Sequence, residues 1–345
     1  MLKINVQALR KITGAFLEEG KTVYAPRHLG MGDFAFDRIE NPDEFQIEGF
    51  VNTLLPPKEI FFRQMETIGR FGWKEEGLCE DVEPEIEDKV LLGIRPCDLE
   101  GLLLIDAFYD RVDADMPYKR RRKKTFIIAY ACPEPADTCF CVETDSGPWA
   151  KRGFDWQLHG LEEGIYLLEV GSEKGRELAD RFADLMEKAH DGDLELLEAK
   201  RKETLGKFKK RPYIKRGIGN IKKVGEEVYR YLGDRCFRCG GCNYLCPTCT
   251  CYNVADIGTR RGERVLFWDS CQFEGYSRLA GDLNLRPDQG SRLKFRFECK
   301  LAEWNTETYG RIRCTGCGRC IYTCIGDADI DLFLKKASET WKGTE

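Results

Sequence analysis

The sequence predicts an α/β domain followed by a mainly helical, cysteine-rich domain. Strand-like and helix-like segments alternate up to about residue 195, which is typical of α/β folds. From about 196 to 235 the composition becomes basic and loses this alternation. Beyond residue 235, cysteines recur in two copies of one spacing. We therefore expect an α/β domain over 1–195, a basic connecting segment over 196–235 and a helical domain over 236–345.

The predicted elements of the first domain follow from hydrophobic patterning. Short apolar runs predict buried strands at 89–94, 125–130 and 165–170. A helix is expected at 98–108, with Asp98 as its N-cap. A second helix is expected at 173–188, with one apolar face formed by Leu178, Phe182, Leu185 and Met186. The basic segment that follows is interpreted as a solvated linker that can hold a helix, with a docking surface as the alternative.

Composition and charge narrow the class of protein. The chain has 345 residues, of which 42% are hydrophobic and 33% charged, and its net charge is −5. No apolar run approaches the roughly 18 residues of a membrane span, and the N-terminus lacks the apolar region of a signal peptide. The small net charge and the absence of aromatic residues within the basic run at 119–124 argue against nucleic-acid binding. We expect a cytoplasmic protein.

The cysteines indicate a metal-binding protein. There are 17 of them against 3 histidines. In a chain of this length without a secretory signal, metal ligation is a better explanation than disulfide bonding. The few histidines, His28, His159 and His190, are scattered along the chain, which argues against histidine-based catalysis.

The strongest signal is a repeated run with the spacing C-x2-C-x2-C-x3-C. This is the spacing with which ferredoxins that carry two clusters bind [4Fe–4S] cubanes. Zinc sites usually combine two separated C-x2-C halves, so zinc is the weaker explanation. The first copy contains Cys236, Cys239, Cys242 and Cys246, and the second contains Cys314, Cys317, Cys320 and Cys324.

In such runs the fourth cysteine serves the other cluster. We therefore expect one cluster on Cys236, Cys239, Cys242 and Cys324, and the other on Cys314, Cys317, Cys320 and Cys246. The fourth cysteine is expected to begin a helix. Glycines inside the runs, at 240, 241, 316 and 318, can adopt positive φ and relieve crowding. Because the gap between the copies contains stretches that can be helical, we expect an α-helical ferredoxin-like domain.

A third set of cysteines lies in the α/β domain. Cys97 and Cys132 directly follow two predicted strands, and Cys139 and Cys141 follow in a turn-rich segment. Because the ends of neighbouring parallel strands lie side by side, these four thiols can converge. We hypothesise that they hold a third [4Fe–4S] cluster. Buried free thiols and a mononuclear metal site are the alternatives.

The remaining cysteines are less patterned. Those between the two motif copies are interpreted as packing around the clusters, with membership of a further site as the alternative; they are Cys249, Cys251, Cys271 and Cys299. Cys79 has no partner pattern and is expected to be structural. There is no P-loop and no dinucleotide fingerprint, so we expect no catalytic site on this chain.

Several segments together resemble a known family. These are GIRPCDLEGLLLID at 93–106, YACPEPADTCFCVETDSGP at 130–148, CFRCGGCNYLCPTCTC at 236–251, WDSCQFEG at 268–275 and PPKEIFFRQMETI at 56–68. They are similar to the β subunit of cytoplasmic sulfhydrogenases, and equally to the A subunit of the dissimilatory anaerobic sulfite reductase. Two departures from the family pattern are Ile325 in place of a proline and Cys299 in place of a histidine.

The resemblance implies an electron-transfer subunit of an oxidoreductase complex. Its expected partners are a flavoprotein subunit that binds FAD and NAD(P)H, with a [2Fe–2S] centre in many members, and a catalytic hydrogenase or sulfite reductase subunit. The expected cofactors are two [4Fe–4S] clusters, with the third as a hypothesis. One alternative is a stand-alone iron–sulfur oxidoreductase whose α/β domain binds a small molecule or flavin. Another is a zinc-stabilised interaction module.

Overall fold

The computed structural model describes residues 1–72, 78–82, 86–111 and 116–339, with side chains described except at 78–81 and 116. The side chain of Cys79 therefore lies outside the described residues. The helices are α1 (Val6–Glu18), α2 (Pro96–Tyr109), α3 (Met116–Lys123), α4 (Glu173–Arg181), α5 (Asp191–Gly206), α6 (Tyr213–Gly219), α7 (Glu226–Arg235), α8 (Gly241–Tyr244), α9 (Gln289–Leu301), α10 (Trp304–Tyr309), α11 (Arg319–Tyr322) and α12 (Ile330–Glu339).

The strands of the first sheet are β1 (Leu2–Asn5), β2 (Thr22–Gly30), β3 (Asp33–Ile39), β6 (Lys89–Ile94), β7 (Thr125–Tyr130), β8 (Trp156–Glu162), β9 (Ile165–Val170) and β10 (Glu187–Lys188). They are arranged in the order β10-β1-β9-β8-β7-β6-β2-β3. The centre, from β2 through β6 and β7 to β8, is parallel. The strands predicted at 89–94, 125–130 and 165–170 are confirmed with these bounds.

Both faces of this sheet are covered, which explains why its central strands are continuously apolar. Val90 and Leu92 pack on the face covered by α1 and α4. Leu91 and Ile94 pack on the opposite face, against α2. Because β6 and β7 run parallel, both end at the same edge of the sheet, and the residues that follow them emerge there together.

Two predicted helices have different boundaries in the structure. The helix predicted at 98–108 is α2, which begins at Pro96 with Arg95 as its N-cap, so the prediction of Asp98 as the cap is wrong. Proline suits the first helical turn because it has no N–H to satisfy. The helix predicted at 173–188 ends at Arg181, because Glu187 and Lys188 form the edge strand β10, which pairs with β1. The four residues of the apolar face predicted for this helix are partly buried and still pack against the core.

The C-terminal region combines helices with a hairpin that the sequence did not predict. A separate core holds the helices α6, α7, α9 and α12, in which Leu232, Phe297 and Phe333 are buried. The hairpin consists of β11 (Tyr252–Gly258) and β12 (Arg261–Trp268). It joins β4 (Met65–Gly72) and β5 (Leu78–Asp81) in an antiparallel sheet of order β11-β12-β4-β5. The hairpin therefore ties this region to the N-terminal part of the chain.

The segment predicted to connect the domains is largely helical. Helix α5 runs across residue 195, and α6 and α7 follow it, with Ile214, Tyr229 and Leu232 fully buried. The boundaries at 195 and 235 stay predictions. Among the described helices, none is long and apolar enough to cross a membrane.

Candidate metal centres

The first motif copy forms a cluster of thiols with one cysteine of the second copy. Cys236, Cys239 and Cys242 line a cavity of about 30 Å³, and Cys324 reaches the same cavity, together with Cys320. Gly240 starts the short helix α8 in the left-handed region, with a φ of 72°. This residue lets the chain turn between the second and third cysteines, where a residue with a side chain would be strained.

The second copy repeats this arrangement with the partner exchanged. Cys314, Cys317 and Cys320 line a cavity of about 20 Å³, and Cys246 of the first copy lines it too. Gly318 has a φ of 78° and starts the short helix α11 in the same way. The structure thus places the fourth cysteine of each run beside the first three of the other run.

The fourth cysteines differ from the expectation in one respect. Each was expected to begin a helix, but each follows one, because the left-handed glycine starts the helical turn after the second cysteine of its run. Cys242 and Cys320 lie inside these turns. Cys246 and Cys324 lie just beyond them, where the chain can direct a thiol toward the other copy.

The N-terminal thiols lie directly beside the second motif copy. Cys97 and Cys141 are buried in contact with Cys317. The pKa of the Cys141 thiol is raised well above its ordinary value, first by burial and then by Cys139 and Cys132. Burial likewise raises the pKa of the Cys139 thiol to about 12. The structure therefore brings the four predicted residues to one region, at the carboxyl ends of β6 and β7.

A backbone contact and one amide side chain join the two regions. Phe140 N donates to the carbonyl oxygen of Gly316 at 2.8 Å. A Cβ on Gly316 would lie 2.6 Å from the Phe140 carbonyl carbon, so only glycine permits this approach. Asn52 Nδ2 donates to the Cys317 carbonyl oxygen at 2.9 Å and lies 3.9 Å from Cys139 Sγ. The N-terminal thiols are thereby held against the second motif copy.

A buried ion pair fixes the same junction. Arg319, between the second and third cysteines of the second motif copy, pairs with Asp98 on α2, and their side chains are 5% and 1% exposed. One of the two contacts, from Nη2 to Oδ2, is 2.8 Å long. Arg319 Nε also donates to the Thr53 carbonyl oxygen at 2.9 Å. This explains why Asp98, expected as a helix cap, is buried.

Replacing Asp98 with asparagine is expected to destabilise the protein strongly. The substitution leaves the Arg319 guanidinium buried without its carboxylate, and breaking one side of a buried pair costs about 3–5 kcal/mol. Anaerobic denaturant unfolding measures the loss. The control is Asp145→Asn, since Asp145 pairs with Lys151 on the surface and such pairs contribute at most about 1 kcal/mol. Equal, small losses for both variants would show that the Asp98 pair is not a structural link.

Positive charge is buried around residues 242–249, at the end of the first motif copy, without matching carboxylates. Lys58, Arg296, Lys300 and Arg313 are 2%, 3%, 3% and 6% exposed. Among the described residues, none of the four forms a salt bridge, and each donates instead to backbone or hydroxyl oxygens. Arg296 Nε and Nη1 have no hydrogen-bond partner within the described chain. Unpaired buried charges are costly, so this region requires an anionic group.

The neighbouring thiols raise the pKa values of two of these cations. Burial opposes the charged form of Lys300, yet the pKa of this lysine is raised by Cys249, Cys246 and Cys299. The pKa of Arg296 is raised in the same way against its burial, by Cys242, Cys320, Cys249 and Cys246. Thiols and buried cations therefore lie close to one another. Among the residues that the structure describes, no three His, Cys, Asp or Glu side chains are arranged to hold a single metal ion.

Comparison with known proteins finds one match for the C-terminal region and another for most of the chain. Residues 235–328 match the 4Fe-4S dicluster domain. The chain is 32% identical over 313 residues to the sulfhydrogenase 2 subunit beta of Pyrococcus furiosus. The match covers 89% of this chain and 90% of the relative.

Proposed function

Because the chain belongs to the family of sulfhydrogenase β subunits, we propose that it relays single electrons between a subunit that binds flavin and NAD(P)H and one that is catalytic. The family resemblance expected from the sequence is confirmed, and the chain contains a [4Fe–4S] dicluster domain. The observation that carries the proposal is the exchange of fourth cysteines between two compact thiol sets.

We assign the ligands as the sequence predicts. One cluster takes Cys236, Cys239, Cys242 and Cys324, and the other takes Cys314, Cys317, Cys320 and Cys246. The residues present fit such groups, because thiolate-bound clusters are anionic and the buried Arg296 and Lys300 lack carboxylate partners within the described chain. When bound, the clusters supply one-electron transfer. The protein holds the thiols, supplies positive charge beside them and excludes water.

We further propose that Cys97, Cys132, Cys139 and Cys141 hold a third [4Fe–4S] cluster. Three observations support this: the four thiols gather at one sheet edge, Cys97 and Cys141 contact Cys317, and Asn52 bridges the two regions. The relay would then extend from the dicluster region into the α/β domain.

Replacing Cys139 with alanine is expected to remove about four irons per chain, because a cubane contains four irons. The iron and acid-labile sulfide of anaerobically purified protein measure this change. The EPR signals of the other two clusters are expected to persist. The control, Ser146→Ala, changes the same loop without removing a thiol. Unchanged iron in Cys139→Ala would remove the third cluster from the proposal and leave the dicluster intact.

The first thiol set reaches the protein surface. Cys239 is exposed, and the nearby apolar side chains Phe237 and Ile325 are 68% and 76% exposed. Both line the same cavity as the first thiol set. Electron transfer between subunits requires a redox group close to the contact, so we propose that a redox partner subunit docks here. The α/β domain would face the second partner.

Reduction of the native complex tests the relay. NAD(P)H added anaerobically to the purified complex is expected to produce the EPR signals of reduced clusters on this chain. Oxidised substrate of the catalytic subunit is then expected to remove those signals. The proposal fails if NAD(P)H reduces the flavin while the clusters of this chain remain oxidised.

One observation favours the alternative of a small-molecule site. A cavity of about 300 Å³ lies beside Cys132, and Tyr130, Trp149, His159 and Arg201 line it. It opens near the carboxyl end of β7, where ligands bind in α/β folds. Release of a stoichiometric flavin from the isolated, denatured chain would favour this alternative over a pure relay. If the denatured chain releases no small molecule, the cavity does not hold a bound cofactor and the alternative fails.

A further inference from the structure

A fourth set of thiols lies between the two motif copies. Cys251 immediately precedes β11 and Cys271 follows β12, so the antiparallel hairpin brings the two residues together. Two contacts hold the ends of the hairpin together. Tyr252 pairs with Trp268, and Asp269 N donates to the Cys251 carbonyl oxygen at 3.1 Å. Cys249 lies two residues before Cys251. Cys299 comes from α9.

All four thiols line one cavity. Its volume is about 220 Å³, against about 30 and 20 Å³ for the cavities of the two motif sets. Arg296, Lys300 and Arg313 line the same cavity. It is therefore the roomiest of these three cysteine-lined cavities, and its wall combines thiols with buried cations.

Hydrogen bonds in this cavity are directed at sulfur. Asn243 Nδ2 donates to Cys271 Sγ at 3.1 Å, and Gln272 Nε2 donates to the same sulfur at 3.4 Å. Arg313 Nη1 donates to Cys299 Sγ at 3.5 Å. Donors aimed at a sulfur favour its thiolate form, which is the form that binds metal.

Positive charge also surrounds this cavity. Lys58, Lys300 and Arg313 all donate to the segment 248–250, which links Cys246 to Cys251. Arg296 lines this cavity as well as both motif cavities. Within the described chain, Arg313 Nε and two nitrogens of Arg296 have no hydrogen-bond partner. Arg313 lines this cavity and neither motif cavity, so its unsatisfied nitrogen points to a further anion beside the dicluster.

We propose that Cys249, Cys251, Cys271 and Cys299 hold an additional [4Fe–4S] cluster, distinct from the dicluster and from the N-terminal thiol set. Each thiol gives up a proton as it binds an iron, and the buried cations offset the negative charge that results. The site is independent of the proposed docking partners and of the third cluster. It extends the metal-binding region to the hairpin side of the molecule.

Removing two of the thiols tests the site. The double variant Cys251→Ala/Cys271→Ala of the anaerobically purified chain is expected to contain about four irons fewer than the wild type. The EPR signals of the dicluster are expected to remain. The control is Tyr252→Phe, which removes only a hydroxyl from the cavity wall and is expected to retain all iron. Iron equal to that of the wild type in the double variant would overturn the proposal.

A second variant decides the case if the double variant loses all its iron or does not fold. Cys299→His offers an imidazole, which replaces thiolate in some iron–sulfur sites and raises the reduction potential. It is expected to keep the iron of the wild type while one cluster changes its EPR spectrum and becomes easier to reduce. Cys299→Ala is expected to lose that signal. If neither variant changes the iron content, the spectrum or the potentials, the four thiols hold no cluster.

Discussion

Two double variants are expected to lose different amounts of iron, although each removes two motif cysteines. Cys246→Ala with Cys317→Ala is expected to lose about four irons, because both ligands belong to one cubane. Cys246→Ala with Cys239→Ala is expected to lose about eight, because these ligands belong to different cubanes although they lie in one run. Iron, acid-labile sulfide and EPR spin counts of anaerobically purified protein measure the difference.

The single variants serve as controls for this comparison. Each of Cys239→Ala, Cys246→Ala and Cys317→Ala is expected to lose one cubane. If the cysteines of one run bound the same cluster, the results for the two double variants would be exchanged. That outcome would contradict the place of Cys246 in the second thiol set and of Cys324 in the first.

Replacing Arg296 with methionine is expected to lower the reduction potentials of the neighbouring clusters. Reduction adds negative charge, which the buried guanidinium stabilises. A unit charge at roughly 6 Å, with an effective dielectric constant of about 20, contributes about 3 kcal/mol. Since about 59 mV corresponds to a factor of ten for one electron, the expected shift is on the order of 100 mV. Redox titration followed by EPR measures it.

Lys294 provides the matched control on the same helix. It is partly exposed and pairs with Glu226 at 2.6 Å. Its charge is screened by solvent, so Lys294→Met is expected to leave the potentials nearly unchanged. Equal shifts in the two variants would mean that net charge, and not the buried position of Arg296, sets the effect.

Some elements were predictable because their environment matches the simplest pattern. The strands at 89–94 and 125–130 are buried on both faces, so an apolar run was a sufficient signal. The hairpin of β11 and β12 was missed because β11 is mostly exposed and shows no alternation of buried residues. The helix predicted through residue 188 was too long, because pairing with β1 overrides the helical pattern at its end.

The sites show the same division between what was predictable and what was not. Fixed spacing identified the eight motif cysteines, and strand ends suggested that the N-terminal four converge. The buried cations were missed because a charged residue in the sequence is normally a surface residue. One signal was present: Arg292, Arg296 and Lys300 recur every four residues along α9, beside the apolar Leu293 and Phe297. Such a row marks a buried charged face only once its anionic partner is known.

Metal analysis of the anaerobically purified chain tests most directly whether it is an iron–sulfur relay. We expect iron and acid-labile sulfide in equal amounts, with Mössbauer spectra of cubane clusters that take up single electrons. Two clusters correspond to about eight irons and each additional proposed site adds about four. Zinc in place of iron, with no sulfide, would contradict the assignment of this chain as an iron–sulfur relay.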